Sequence, residues 1–556
     1  MRVNGRYSTP ASVAIALTVL RKNGIVEFID SHCLFDEDQR KLTPGEVALI
    51  LIGATMMSNN RIPLYRIENL YRHMNISGIL GKKVEPGSLN DHALGRGLDT
   101  IFKADRDQMM WDISERFELD LGLVARIFHI DQTKIRTYVI EPHECDDDAA
   151  KPEFGLDKEG RTDFRLYSSN SITDESKLVR YLSAADGNES DVSMDADAVD
   201  FLVENVDPGR STAVIDSKGA NAELIAKMMG HDLGFVTKCP VNFSSCLKKR
   251  LSREVFNDHW TVSEHKEGHM FYDVDVDIDG ETLEGGGRAP KRRIRAVAFR
   301  SSKMLSDRRA SIVRSHLKAA EKAGKELSRK RFDSEDDALL EVGTVQEGLC
   351  DNAYSLKWSL VSEDVRIKRT KAGRPKSDEV PEFTRQWAIE CEPVIDDRKL
   401  EVLTDLDSIE VLVTNLPRIP SGERMENVRD GASSESVLEL YLDQYKQEHT
   451  FKLLKGKVGL NDVFFKNPER ETAMMFVLGL AALIRNVIDL MFRRIPGRFT
   501  TCQDMVASWL LLRLRVVDGE IELEGPEGCE ADMLDVMRRL DLDEGMIVDS
   551  IERPTV

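Results

Sequence analysis

The stretch YLDQYKQEHTFKLLKG, residues 441–456, predicts a helix with an unusual polar face. Its side chains Tyr441, Gln444, Glu448 and Lys455 stand at offsets of 0, 3, 7 and 14 residues. At about 100° per residue, these offsets fall within about 60° of one another on a helix. One face would therefore carry a phenol, an amide, a carboxylate and an ammonium group in a row. That combination suits a metal-binding acid flanked by groups that can hold phosphate.

The composition indicates a folded protein of the reduced cytoplasm. The chain has 556 residues, enough for two to four domains, and is 41% apolar and 31% charged. Its polar start, MRVNGRYSTPAS, is not typical of a signal peptide. The eight cysteines are scattered without a CxxC pair, which argues against a zinc ribbon or a redox motif.

The longest apolar run is AMMFVLGLAALI, residues 473–484. It is shorter than the roughly 20 residues needed to span a bilayer, so a buried core helix is expected instead. We therefore expect no contact with a membrane.

The charge is distributed unevenly along the chain. The net charge is −20, yet the segment 291–332 holds 15 Lys or Arg and 3 Asp or Glu, a local charge of +12 that leaves −32 elsewhere. Local basic density determines phosphate contacts more than the total charge does. We expect this segment to contact DNA, and the alternative is a solvated amphipathic face.

The pattern of apolar residues divides the chain into five parts. Residues 1–120 predict a helical N-terminal domain, with a capping box in TPGE at 43–46. Residues 121–239 alternate strands with helices, which predicts an α/β core. Residues 240–432 predict a β-rich insertion with one basic helix, 306–331, and DDRKLEVLTD (396–405) as a late strand. Helices return in 433–500, and 501–556 predicts an acidic tail with one short helix.

Two further acids stand where apolar strands end. Asp131 ends the strand in IFHIDQTK and Asp216 ends the strand in TAVIDSKG. Two-metal phosphoryl transfer needs carboxylates from separate elements that converge on one point, and Mg²⁺ or Mn²⁺ prefers such oxygen ligands. Taken singly, each Asp is equally well explained as a helix cap or a turn former. His129, next to this strand end, is expected to be a core residue.

The helix motif resembles the Tyr-x2-Arg-x3-Glu-x6-Lys motif of DDE transposases of the bacterial and archaeal insertion-sequence-four superfamily. The spacing agrees throughout, and Gln444 stands where the family has Arg. Other stretches resemble the long-insertion branch of that family in the expected order. They are LTPGEVALILIGATMMSNN, HIDQTKI, FGLDKEGRTDFRLYS, GNESD, VIDSKGANAEL, VLVTN and NDVFFKNPERETAMMFVLGLAAL. Together the matching blocks span roughly residues 10–495.

The resemblance implies an RNase H-like catalytic core interrupted by a β-rich insertion, and a DNA-binding role for the helical N-terminal domain, residues 1–120. In agreement, 448 − 216 = 232 residues separate the second and third acids, against 216 − 131 = 85 between the first two. Asp131, Asp216 and Glu448 would bind two Mg²⁺ or Mn²⁺ ions. Tyr441 and Lys455 would hold DNA phosphate, whereas Gln444 brings neither the charge nor the bidentate geometry of Arg.

Two features of the insertion can each be interpreted in two ways. The loop RIKRTKAGRPKSDE, residues 366–379, could insert Arg374 into an A·T-rich minor groove, or it could be a solvated loop. Trp358 and Trp387 could stack on an extruded base, although a Trp in a β-rich domain is more often a core residue.

The function predicted by this resemblance is DNA transposition. The protein would bind the terminal inverted repeats of its element, hydrolyse a phosphodiester bond to free a 3′-hydroxyl, and attack target DNA with that hydroxyl. A homodimer on double-stranded DNA is expected, in a prokaryotic cytoplasm. Two alternatives remain open: an RNase H-like nuclease without strand transfer, and a catalytically inactive DNA-binding regulator.

Overall fold

The computed structural model describes most of the chain. The described residues are 7–57, 63–139, 141, 143–146, 148–156, 160–216, 221–239, 260–278, 290–366, 383–444 and 465–554. They form a mixed α/β protein with one large mixed sheet, two small sheets and many helices.

The N-terminal part is helical after a two-residue strand, β1 (Thr9–Pro10). The predicted capping box is present: Thr43 Oγ1 accepts the Glu46 N–H at 3.1 Å, and Glu46 Oε2 accepts the Thr43 N–H at 2.8 Å. The helices are α1 (Ala11–Lys22), α2 (Ile25–His32), α3 (Pro44–Thr55), α4 (Leu64–Tyr71), α5 (Ile76–Leu80), α6 (Asp91–Phe102) and α7 (Arg106–Asp120).

The central sheet begins with strands on which the sequence places the two predicted acids. Its strands and helices up to residue 239 are β2 (Ile127–Thr137), β3 (Glu153–Phe154), β4 (Arg165–Asp174), β5 (Val179–Ala185), α8 (Asp191–Asn205), β6 (Thr212–Ile215), α9 (Ala222–Gly230) and β7 (Gly234–Lys238). In space the five longer strands run β5-β4-β2-β6-β7. The pairings of β5 with β4 and of β4 with β2 are antiparallel, while β2, β6 and β7 are mutually parallel.

The segment predicted as a separate insertion divides between two places. Strands β8 (Thr261–Val262), β9 (His269–Ile278) and β10 (Arg292–Ser301) extend the central sheet, joined to β7 through β13 (Glu410–Thr414). The remainder has its own core and forms a unit of α10 (Ser302–Ser328), α11 (Glu335–Gly348), β11 (Tyr354–Arg366), β12 (Phe383–Ile395) and α12 (Asp397–Ser408).

The predicted strand DDRKLEVLTD is wrong, because these residues begin helix α12. Asp396 caps its start by accepting the Lys399 N–H at 3.1 Å. Leu400, Thr404 and Ser408 recur every four residues and are buried on one side. The local order Leu-Glu-Val-Leu resembles strand alternation, but the cap and the four-residue recurrence determine the structure.

Two helices follow β13: α13 (Ser434–Leu442) and α14 (Pro468–Arg494). Helix α14 is long and apolar enough to cross a membrane by length and composition, but 89% of its most apolar window is buried inside the protein. It packs against α1, α3, α6, α7 and β5. The run 473–484 is therefore a buried core helix, as the sequence predicts.

The last residues differ from the predicted acidic tail. They form α15 (Cys502–Ser508), β14 (Arg513–Val517), β15 (Glu520–Glu524), α16 (Cys529–Arg539) and α17 (Glu544–Ile551). Strand β14 pairs with β1, and α17 packs on α1. Buried apolar residues such as Trp509, Leu514 and Ile547 join the core of the N-terminal helices, so both ends of the chain share one core.

A buried ion network joins helix α7 to the β4–β5 hairpin. The guanidinium of Arg180 contacts Asp174 at 2.7 Å and Glu118 at 2.6 Å, and both Arg180 and Asp174 are about 1% exposed. The backbone N–H groups of Ser176 and Leu178 also donate to Asp174. Burial raises the pKa of Asp174, against the lowering effect of Arg180.

Removal of the cation from this network is expected to be costly. Arg180→Met leaves two carboxylates without their partner inside the protein, and we expect the free energy of unfolding to fall by about 3–5 kcal/mol. Urea denaturation followed by circular dichroism measures it. The control is Arg210→Met, an exposed Arg 3.6 Å from Asp207, for which a change below about 1 kcal/mol is expected. Equal midpoints for the two variants would contradict a stabilising role of the network.

Candidate active site

Asp131 and Asp216 follow directly on the last paired residues of two adjacent parallel strands. The register between β2 and β6 ends with Ile130 opposite Ile215. Each acid is the next residue along its strand direction, so the two lie side by side at the same end of the pairing. Both are partly exposed. The structure thus brings together the first two predicted acids.

The alternation along the strands determines which face the acids occupy. Ile130 and Ile215 belong to the core beneath α8 and α9. Their neighbours one residue away point to the opposite face, where Val214 packs with residues of α13. His129 is fully buried on this strand, in agreement with its prediction as a core residue.

Tyr441 comes from helix α13 and meets this face. Its hydroxyl donates a hydrogen bond to Asp216 Oδ1 at 3.2 Å. Burial is the first cause that raises the pKa of Tyr441, and the negative charges of Asp216, Glu410 and Asp131 add to it. The phenol therefore stays protonated and acts as a donor. In the structure it contacts a carboxylate, and the predicted contact of Tyr441 with DNA phosphate stays a prediction.

The predicted helix does not run unbroken through Gln444. Helix α13 ends at Leu442, Asp443 forms its C-cap, and the Gln444 N–H donates to Tyr441 O at 3.1 Å in a turn. Gln444 is half-buried, and its Nε2 has no hydrogen-bond partner in the described part of the chain. Glu448, Lys455 and Arg374 lie outside the described residues. Of the four polar residues predicted to share one helix face, only Tyr441 therefore lies on a helix that the structure describes.

A third carboxyl group, which the sequence analysis missed, lies on the opposite face of the sheet from the pair. Asp195 is buried on helix α8, and Oδ1 accepts a hydrogen bond from Gln132 Nε2 at 2.6 Å. Burial raises the pKa of Asp195 to about 7; the Gln132 amide opposes this shift, and the charges of Asp131, Asp191 and Asp216 increase it. The charges of Asp131 and Asp216 therefore act on Asp195 through the sheet, although the largest cause of its raised pKa is burial.

A sequence signal for Asp195 was present. The residues Ala198, Val199 and Leu202 follow it at three, four and seven positions, which is the spacing of one helix face. All three are buried beneath the sheet. An acid on the apolar face of a helix is a candidate for a perturbed carboxyl group.

Lys134 fixes the segment that leads into α8. Its Nζ donates to Ser168 Oγ at 2.5 Å, to Gly187 O at 3.3 Å and to Glu189 O at 3.2 Å. Burial lowers the pKa of Lys134, against the attraction of Asp191 and Glu189. The GNESD stretch is thereby tied to the strand of Asp131, three residues away.

The described residues supply two of the three carboxylates that were predicted to bind metal. They contain no group of three or more His, Cys, Asp or Glu side chains arranged to hold a metal ion. Asp131 and Asp216 offer only oxygen donors, which fit Mg²⁺ or Mn²⁺. A complete ligand set would need Glu448 or a ligand from the substrate.

A protein-family model matches part of the chain. Residues 12–115 match the model of a family described as a domain of unknown function, DUF4277. No curated protein matches the chain. Among solved structures, the chain is similar to a cryo-EM structure of a piggyBac transposase synaptic complex with hairpin DNA, at 8% identity and a TM-score of 0.37. That similarity covers 91% of this chain and 82% of the other, and at this TM-score it carries no argument about fold or function.

The pKa of Asp195 predicts how stability changes with pH. Because the folded-state pKa lies above the ordinary value of about 3.9, the folded protein keeps a proton that the unfolded chain releases. The stability of the native protein therefore falls as the pH rises from about 4 to about 7. Asp195→Asn removes the titrating carboxyl group. The free energy of unfolding of the variant, relative to that of the native protein, should therefore rise by on the order of 2 kcal/mol between pH 5 and pH 8.

Urea denaturation at several pH values, without divalent metal, measures this difference. The control is Asp200→Asn, an exposed position on the same helix. A pH profile of Asp195→Asn parallel to that of the native protein would contradict the perturbed carboxyl group.

Proposed function

We propose that this protein is a DDE-type DNA transposase of the insertion-sequence-four superfamily, with an RNase H-like core. The proposal rests mainly on one observation: Asp131 and Asp216 each follow the last pair of the parallel pairing between β2 and β6, with the Tyr441 hydroxyl on Asp216. The strand order β5-β4-β2-β6-β7 supports it, because an RNase H-like core has three antiparallel strands continued by two parallel ones. The motif order along the sequence gives independent support.

The carboxylates of Asp131 and Asp216 would hold one or two divalent cations together with Glu448. Bound Mg²⁺ or Mn²⁺ would supply Lewis-acid activation of the nucleophile and stabilisation of the leaving oxygen. Tyr441 would keep the Asp216 carboxylate oriented, since a donor on a ligating oxygen fixes its geometry. Gln132 would restrain Asp195 on the other side of the sheet.

The chemistry would be two successive in-line displacements at phosphorus. Water attacks the phosphodiester bond at the element end, the bond to the 3′ oxygen breaks, and a free 3′-hydroxyl results. That hydroxyl then attacks a phosphodiester bond in target DNA, and a new strand joint forms as the target's own 3′ oxygen leaves. Two DNA ends must be held together for this, so a homodimer on DNA in the cytoplasm belongs to the proposal.

The acids can be tested with a strand-cleavage assay on labelled duplex that carries the gene's own flanking DNA. We expect nicking at a flank boundary in Mg²⁺ or Mn²⁺ and none in EDTA. Asp131→Asn, Asp216→Asn and Glu448→Gln should each lower the rate by more than about 100-fold, because loss of a ligand exceeds the 10–100-fold effect of an outer partner. Asp207→Asn, an exposed acid before β6, is the matched control and should cleave normally.

The products separate the alternatives. Joined donor and target strands identify a transposase, whereas cleavage without joining identifies a nuclease. Flank binding without cleavage in either metal would identify an inactive DNA-binding regulator. Cleavage that persists in EDTA or in Asp216→Asn would refute the proposed site.

The hydrogen bond from Tyr441 gives a subtler prediction. Tyr441→Phe keeps the ring and removes the donor to Asp216, so the Mn²⁺ concentration for half-maximal cleavage should rise about tenfold. A Mn²⁺ titration of the cleavage rate measures it. Tyr354→Phe, in the unit of α10 to α12, is the control and should titrate like the native protein. An unchanged Mn²⁺ requirement with weaker DNA binding would instead support the phosphate contact predicted from the sequence.

A further inference from the structure

Helix α10 presents a long exposed face. Its 27 residues bury one side, with Ile312, Ala320 and Leu327 in the core formed with β11, β12 and neighbouring helices. At about 100° per residue, these three cluster on one side of the helix, which leaves the opposite side to solvent. The helix carries seven Lys or Arg and three Asp or Glu, and Arg329, Lys330 and Arg331 follow directly at its C-terminal end.

The cations of this region separate into two groups. One group is held by acids: Arg308 with Glu410 at 3.5 Å, Arg309 with Asp397 at 4.0 Å, Lys330 with Glu341 at 2.5 Å and Arg331 with Glu363 at 3.1 Å. The other group makes no ion pair with any residue that the structure describes, and all its members are exposed. Its members on one side of the helix are Arg314, Lys318, Lys325 and Arg329, which we call the basic stripe, and Lys303 belongs to the same group.

The basic stripe is straight and faces away from the core. The four residues stand at offsets of 0, 4, 11 and 15, which places them within about 60° on the helix. Their Cα positions extend over about 22 Å at about 1.5 Å per residue. Lys303 and Lys322 fall near the same line, with Asp307 and Glu321, so the face keeps a clear positive excess.

The stripe is rigidly connected to the sheet that carries the acids. Helix α10 follows β10 without a linker, and Ser301 Oγ caps it by accepting the Met304 N–H at 3.2 Å. Arg300, at the end of β10, contacts Asp405 of α12 at 3.2 Å. Strand β10 pairs with β13 in the central sheet. DNA held on the stripe would therefore keep a fixed position relative to Asp131 and Asp216.

We propose that the basic stripe binds the phosphate backbone of double-stranded DNA. The proposal deepens the proposed function and rests on it for the identity of the partner. Duplex DNA carries one charge per about 1.7 Å of axis, so a stretch of about 22 Å offers about 13 phosphates to four aligned cations. The positions between the cations hold no Asn or Gln, and the Nδ1 atom of His316 already accepts the Ala353 N–H at 2.9 Å. We therefore assign the stripe to phosphates, which position the duplex, and the salt dependence of binding tests this assignment.

The experiment compares two variants of the full-length protein with the same change of charge. The stripe variant carries Arg314→Gln, Lys318→Gln, Lys325→Gln and Arg329→Gln. The control carries Arg308→Gln, Arg309→Gln, Lys330→Gln and Arg331→Gln. Binding to a labelled duplex of about 30 base pairs is measured by fluorescence anisotropy in EDTA, from about 50 to 300 mM salt.

We expect the stripe variant to bind at least tenfold more weakly at about 100 mM salt, and its plot of log affinity against log salt to be shallower by about 3–4. The control should change affinity less than about threefold. Equal losses in both variants would show an effect of net charge alone and overturn the proposal. So would unchanged binding by the stripe variant.

Two further readouts separate DNA binding by the stripe from self-association and from catalysis. In sedimentation without DNA, a self-association that the stripe variant loses would assign the stripe to the acidic surface of a second copy and overturn the proposal. Because binding is measured in EDTA, it does not depend on catalysis. A native protein that never cleaves but binds through the stripe would refute the transposase and leave the DNA surface standing.

Discussion

The parallel pairing of β2 with β6 is the constraint on which the site depends. Strand β2 pairs with β4 on one side and with β6 on the other, and its residues 128–130 are buried. Side chains alternate between the faces, so a slip of one residue in this pairing would move Asp131 and Asp216 to opposite sides of the sheet. The buried pairs Phe128–Ala213 and Ile130–Ile215 hold the register, because each would otherwise expose apolar surface.

The same pairing concentrates negative charge in a small volume. Asp131 and Asp216 meet on one face, and Asp195 approaches from the helix on the other. The Gln132 amide and the Tyr441 hydroxyl, which donate to two of these acids, are both neutral. Neutral donors orient carboxylates without neutralising them. The local field is therefore suited to attract a cation, and the elevated pKa of Asp195 is in part a measure of that field.

The sequence predicted what depends on local pattern. The end of β6 before Asp216, the capping box at Thr43 and the buried run at 473–484 follow from alternation, helix caps and apolar periodicity. The predicted end of a strand at Asp131 is wrong, because β2 continues to Thr137 through its pairing with β4. Contacts between segments that are distant in sequence were harder to predict. The pairing of β1 with β14 joins residues 9–10 to 513–514, and no short-range pattern indicates that the acidic C-terminal segment has an apolar face for α1. Helix α13 ends at Leu442, although the helical spacing of polar side chains in the sequence continues from Tyr441 to Gln444.

The large sheet also bears on how copies of this protein can meet. At one end of this sheet, β3 is only two residues long and the longer strand β5 packs against α7 and α14. Long bare edges invite strand addition by a neighbouring molecule, and short or covered edges prevent it. At that end, two copies would therefore meet through side-chain surfaces or through a bridging ligand. Such an association can be formed and dissolved without unfolding of either copy.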